Sequence, residues 1–200
     1  SIRDTPREHG LAFETATFAG YGGLAVEAWV VPGKGRGPVI LFHGYRDCKS
    51  SLLPTAAEFH RMGYDAVLVD FNGSGGSAGE DTSLGWHEAE VVAAAVEWAR
   101  GRFPGRKPVL YGLSMGAAAV LRAVGARGVE ARAVILESPF DRMLRAVSRR
   151  FEWAGSPARP FAALLLWWGG RRQGFDGFAH NPVDYARGVS CPTLILFGDR

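Results

Sequence analysis

The sequence predicts an α/β fold: a mostly parallel sheet with an N-terminal antiparallel hairpin, helices on both faces and an insertion after the sixth strand. Three observations carry that expectation. Five short runs, "PVILFH" (38–43), "YDAVLVDF" (64–71), "PVLYGL" (108–113), "ARAVILE" (131–137) and "PTLILFG" (192–198), are almost continuously apolar, as strands buried on both faces of a parallel sheet are. Stretches of helical length separate them, and strand–helix alternation at this pitch means crossover helices. Two earlier runs alternate polar and apolar residues instead, the pattern of half-buried strands.

Those two, "FETATFA" (13–19) and "LAVEAWVVP" (24–32), flank the glycine-rich turn "GYGG" and read as the hairpin. After the third strand (38–43), a serine pair opens a helix over 51–62. After the fourth (64–71) comes a glycine-rich loop, then a helix over 86–102 with Val91, Ala94, Ala95 and Trp98 on one stripe. The fifth strand (108–113) feeds a small-residue helix over 115–126, and the sixth (131–137) follows. Residues 138–190 are too long for a plain crossover and rich in aromatics, so they read as an inserted cap ahead of the seventh strand (192–198).

Two hundred residues at 47% hydrophobic suffice for one core, so 1–200 is read as a single domain with the cap inside it. The net charge of +3 is mild and its basic residues are scattered, which argues against a nucleic-acid face. Cys48 and Cys191 have no metal-ligand spacing and fall at opposite ends of the expected sheet, so both read as thiols rather than a bridge. The longest apolar run, "FAALLLWW" (161–168), is too short to span a membrane. No secretory signal is present, which favours the cytoplasm. The first residue is Ser1, so removal of an N-terminal signal or anchor is left open. No motif implies a cofactor or a metal.

The chemistry concentrates at "GLSMG", residues 112–116, which matches G-x-S-x-G with Gly112, Ser114 and Gly116. A serine on a sharp strand-to-helix turn presents its hydroxyl above the sheet, and its neighbours must be small for so tight a turn. The pentapeptide is weak alone, but here it ends a strand and opens a helix, as that mechanism requires. A second glycine motif, "DFNGSGGSAG" (70–79), fits G-x-G-x-x-A through Gly73, Gly75 and Ala78. It follows an inner strand and does not open a helix at once, so dinucleotide binding is disfavoured.

Taken in order, "FHGY", "DFNGSGGSAG", "GLSMG", "ILESPF" and "CPTLILFGDR" resemble the α/β-hydrolase superfamily, nearest to single-domain serine hydrolases of the monoglyceride-lipase and acylaminoacyl-peptidase kind. The resemblance runs from about Pro32 to the last residue. It implies Ser114 as nucleophile, and an oxyanion hole from the backbone N–H groups of Tyr45, after Gly44, and of Met115. It implies a structural role for His43. Asn72 departs from the family's Asp-x-Arg-Gly loop, which puts the bracing of that loop in question. The resemblance places the acid three residues past Gly198 and the histidine after an eighth strand, so both are expected beyond Arg200.

Within the chain, Glu137 and Asp199 are the substitute acids. His9 and His60 lie far from the elbow, whereas His87 and His180 fall on its side of the sheet. In the cap, Phe151, Trp153, Phe161, Trp167, Trp168, Phe175 and Phe178 either line an acyl pocket or form a small core of their own. Arg142, Arg145, Arg149 and Arg150 read as a solvated basic face before they read as a lipid contact. The expected function is hydrolysis of a carboxylic ester of small size with an apolar acyl group. A peptidase of the same fold, or a non-catalytic binding module lacking the base, are the alternatives.

Overall fold

The computed structural model describes residues 4–153 and 158–198. All seven expected strands form: β1 (Glu14–Ala19), β2 (Ala25–Val31), β3 (Pro38–Phe42), β4 (Asp65–Val69), β5 (Val109–Leu113), β6 (Ala133–Glu137) and β7 (Thr193–Leu196). They make one sheet in the order β1-β2-β4-β3-β5-β6-β7. β2 pairs antiparallel with both β1 and β4, and every other pair is parallel.

β3 is buried along its whole length, and the strand period of two sends its side chains into two cores. Ile40 and Phe42 join the core under α2 (Glu88–Arg102) and α3 (Met115–Arg127). Val39 and Leu41 join the core under α1 (Leu53–Arg61) on the opposite face. Fully burying a side chain of this size contributes about 1.5–3 kcal/mol, so the central strands anchor everything built on their ends.

α2 differs from its expected form in two ways. It begins at Glu88 rather than at Trp86, because the Glu88 carboxylate is turned back onto the preceding loop. It accepts the N–H groups of Ser83 (3.0 Å) and Gly85 (2.8 Å) and the Ser83 hydroxyl, which holds 83–87 as a turn. Its buried stripe is Val91, Val92, Ala95, Val96 and Ala99, with Ala94 and Trp98 only half-buried. The helix is wedged between sheet and α3, and Trp98 instead stacks on Phe18 of β1, centroids 5.6 Å apart.

Between β6 and β7 the chain forms α4 (Met143–Trp153), α5 (Ala158–Gln173) and the short α6 (Pro182–Tyr185). α4 and α5 share a small core of Met143, Val147, Ala162 and Leu166. β7 is the outermost strand among the described residues, and there Leu194 and Ile195 are 52% and 56% exposed.

The strand order has one consequence for the site. From β3 the chain steps to β4, then returns across β3 to β5. The helices after β3 and β5 leave toward opposite faces, so a crevice opens between the carboxyl ends of these two strands. In open α/β sheets ligands bind at such a switch point. Cys48 follows β3 at this carboxyl edge and Cys191 precedes β7 at the other, and both are thiols. The Cys48 Sγ lies 3.2 Å from the Ser50 Oγ. No helix among the described residues is long and apolar enough to cross a membrane.

Candidate active site

Ser114 sits where β5 turns into α3, with φ 52° and ψ −105°. A non-glycine residue in this region is strained, and the cost is borne by the structure around it. Two contacts hold it. The Ser114 N–H donates to the Glu137 carbonyl at the end of β6 (2.8 Å), and the Ser114 carbonyl accepts from Ala118 N–H (3.1 Å). The motif glycines are needed for close approach. A Cβ on Gly116 would lie inside van der Waals contact of the Phe42 carbonyl oxygen and 2.8 Å from that of His43, and one on Gly112 would lie 2.6 Å from Ala117 N. Residues 112–116 are therefore pressed both against the end of β3 and against themselves.

That packing brings the two crevice loops together. A side chain at Gly44 would meet Leu113 O at 3.7 Å and Ser114 Cβ at 3.8 Å, so the loop after β3 runs directly beside the elbow. By their position the first N–H groups of α3, Met115 included, have no carbonyl one turn back, and the helix dipole adds positive potential there. Tyr45 is half-buried, and the Arg150 guanidinium of α4 lies over its ring at 4.5 Å. α4 is thereby seated on the loop that would supply an oxyanion donor.

His43 is fully buried and braces this loop. Its Nδ1–H donates to the Gly44 carbonyl (2.7 Å), and its Nε2 accepts the Phe71 N–H (3.1 Å). Burial pushes its pKa down, and both ring nitrogens are occupied in the neutral form.

A second brace is one that sequence reasoning misses. Lys49 is fully buried, with Nζ paired to Asp70 and to Glu27 Oε1 (2.7 Å) and lying 4.6 Å over the Trp29 ring. Asp70 also accepts the N–H groups of Lys49 (2.7 Å) and Gly76 (2.8 Å). The glycine-rich loop is held through Asp70, while Asn72 Nδ2 donates to the Ala78 carbonyl (3.0 Å). The signal that could have found it is an aspartate ending an otherwise apolar strand.

The other candidates are engaged elsewhere. Among the described residues no histidine hydrogen-bonds Ser114. His87 uses Nε2 on the Gln173 carbonyl (3.0 Å) and stacks on Tyr21, centroids 4.1 Å apart. His180 is fully buried between Leu84 O (3.1 Å) and Tyr185 Oη (3.1 Å), and burial lowers its pKa to about 4. His60 lies on α1, on the other face of the sheet, and His9 ends an N-terminal turn. The Glu137 carboxylate accepts the Tyr111 hydroxyl, and burial beside that carboxylate raises the tyrosine's pKa. Asp199 lies outside the described residues.

Among the described residues, none of the cap aromatics lines a cavity with Ser114. Phe151 stacks on Phe161 (6.0 Å) and Phe175 on Trp86 (5.1 Å), whereas Trp167, Trp168 and Phe178 face solvent. The Trp153 side chain lies outside the described residues. Two cavities flank the crevice, one of about 720 Å³ behind Arg46, Asp47 and Ser74 and one of about 370 Å³ beside Asn72 and His87, and neither is lined by Ser114. Among the described residues no cluster of three or more His, Cys, Asp or Glu could hold a metal ion.

Comparison with known proteins agrees with this architecture. The family described as serine aminopeptidase, S33, matches residues 33–173. An uncharacterized protein of Mycobacterium tuberculosis is 28% identical over 183 residues, a match that covers 88% of this chain and 57% of that protein. The chain thus spans little more than half the length of the curated relatives it matches. Among solved structures, the esterase Pf2001 of Pyrococcus furiosus superposes with a TM-score of 0.76 at 21% identity, over 96% of this chain and 73% of that one. The α/β hydrolase GrgF of a Penicillium species gives 0.67 at 21% identity, over 92% and 79%. The fold is the α/β-hydrolase fold.

Proposed function

Because the chain belongs to the serine aminopeptidase S33 family of α/β hydrolases, we propose that it forms the nucleophile-bearing part of a serine hydrolase that cleaves carboxylic esters through an acyl-enzyme on Ser114. The observation that carries this reading is the strained Ser114 backbone at the switch point, held in place by its hydrogen bonds and by the close-packed glycines around it. Ser114 Oγ attacks the ester carbonyl and gives its proton to a base. The tetrahedral oxyanion is held by the N–H groups of Tyr45 and Met115, a pair of donors each worth about 3 kcal/mol in such sites. Collapse expels the alcohol, which takes up the proton. Water then attacks the acyl-enzyme with the same base accepting its proton. Collapse of this second adduct breaks the Ser114 Oγ–acyl bond, releasing the carboxylic acid while the base returns the proton to Ser114 Oγ.

The base and its acid partner are proposed to lie beyond Arg200 in the whole protein. No histidine among the described residues hydrogen-bonds Ser114, and Glu137 is committed to Tyr111. That same observation favours a second reading, a binding module that keeps the elbow without the triad. The family description also admits a peptidase.

The test is turnover of p-nitrophenyl esters against the matching p-nitroanilides by the whole protein and by Ser114→Ala. Ester turnover lost in the variant, with the fold retained, supports the proposal. Activity that survives removes Ser114 from the mechanism. Amide turnover exceeding ester turnover moves the reading to a peptidase.

A further inference from the structure

We propose that the outer face of α5 is a docking surface for an anionic lipid bilayer. α5 buries a single stripe, Ala162, Leu166 and Gly170, spaced by four. A helix at a protein surface normally turns a polar face away from such a stripe. Here the opposite face carries Phe161, Leu164, Leu165 and Trp168, which among the described residues are 47%, 60%, 47% and 54% exposed, with Trp167 beside them at 56%. Four large apolar side chains at spacings of three, one and three form a continuous band, which water alone does not favour.

Charge selects the occupant. Residues 139–180 hold seven arginines against three acids, +4, while the whole chain carries +3, so the remainder is −1. The positive charge is therefore concentrated in the segment that bears the apolar band. Arg159 lies near one end of α5 and Arg171 and Arg172 at the other, all exposed, with the Arg172 guanidinium 5.7 Å over the Trp168 ring. Two copies meeting through this face would bring like charges together. A bilayer of anionic lipid offers acyl chains to leucine and phenylalanine, the interfacial layer to tryptophan, and phosphate to arginine.

The surface is separate from the chemistry at Ser114 and stands or falls independently of it. Its position, on the helix pair seated on Tyr45 through Arg150, would put a membrane near the crevice.

Co-sedimentation of the whole protein with vesicles tests it. Binding is expected to equimolar phosphatidylcholine–phosphatidylserine vesicles, with blue-shifted tryptophan emission, and to be about tenfold or more weaker to pure phosphatidylcholine. Leu164→Ser with Leu165→Ser should lower the partition coefficient by about tenfold or more. Arg171→Gln should lower it about fivefold on the anionic vesicles alone. Ser114→Ala should bind as the parent does.

No binding by the folded parent, or equal binding by both surface variants, overturns the proposal. So does shielding of the tryptophans from acrylamide before vesicles are added, which would show that a second copy or another segment of the protein already covers the face.

Discussion

Lys49 and Asp70 form an ion pair in which neither side chain is exposed to solvent. The pair joins the loop after β3 to the loop after β4, and His43 joins the same two loops through Phe71 N–H, 3.1 Å away. These two ties meet at Asp70, whose Oδ1 lies 4.0 Å from His43 Nε2, and together they fix the backbone that runs beside Ser114.

Removing one partner of a buried pair strands the other, at about 3–5 kcal/mol. Lys49→Met should lower unfolding stability by about that much in urea, with Lys49→Arg failing to restore it because the site is enclosed. A loss below about 1 kcal/mol would mean that water reaches Asp70 and that the brace is not what stiffens the loop.

The glycines around the elbow separate by their surroundings. Gly116→Ala places a methyl group against the carbonyl oxygens of Phe42 and His43, and overpacking of this kind costs about 1–3 kcal/mol. Gly44→Ala meets its neighbours at ordinary contact distances, 3.7–3.9 Å, and should change stability by less than about 1 kcal/mol. Thermal unfolding of the two variants measures the difference, and equal effects would contradict the account of the turn.

His180 predicts a pH dependence of stability. Its folded-state pKa is about 4 against an ordinary 6.5, lowered first by burial. The unfolded chain therefore binds more protons between these values, and stability falls as pH drops from 6.5 toward 4. The full effect is on the order of 3 kcal/mol. Burial lowers the His43 pKa as well, so that residue acts in the same direction. Denaturation midpoints followed from pH 7 to pH 4 should show a shallower fall in His180→Gln than in the parent, and identical slopes would exclude His180 as a source.

The sheet was legible because its central strands are buried on both faces. Val39 to Phe42 and Ala66 to Val69 could hardly be anything else once helices separate them. Ser114 was legible for a related reason, since glycines on both sides of a serine at a strand-to-helix junction are what a turn this tight demands. The Lys49 brace was not, because a lone lysine beside serines looks solvated and its two acids lie 21 and 22 residues away in sequence. The cap aromatics divide by their surroundings: Phe151 of α4 packs against the small core shared with α5, Phe175, past the end of α5, stacks on Trp86, and Trp167 and Trp168 of α5 turn outward.

The most direct test of the central claim is intact-mass spectrometry of the whole protein after treatment with a fluorophosphonate, followed by peptide mapping. A single adduct on Ser114, absent from Ser114→Ala and from heat-unfolded protein, is the predicted result. An unmodified Ser114 in folded, full-length protein would contradict it and leave the strained turn as the frame of a binding module.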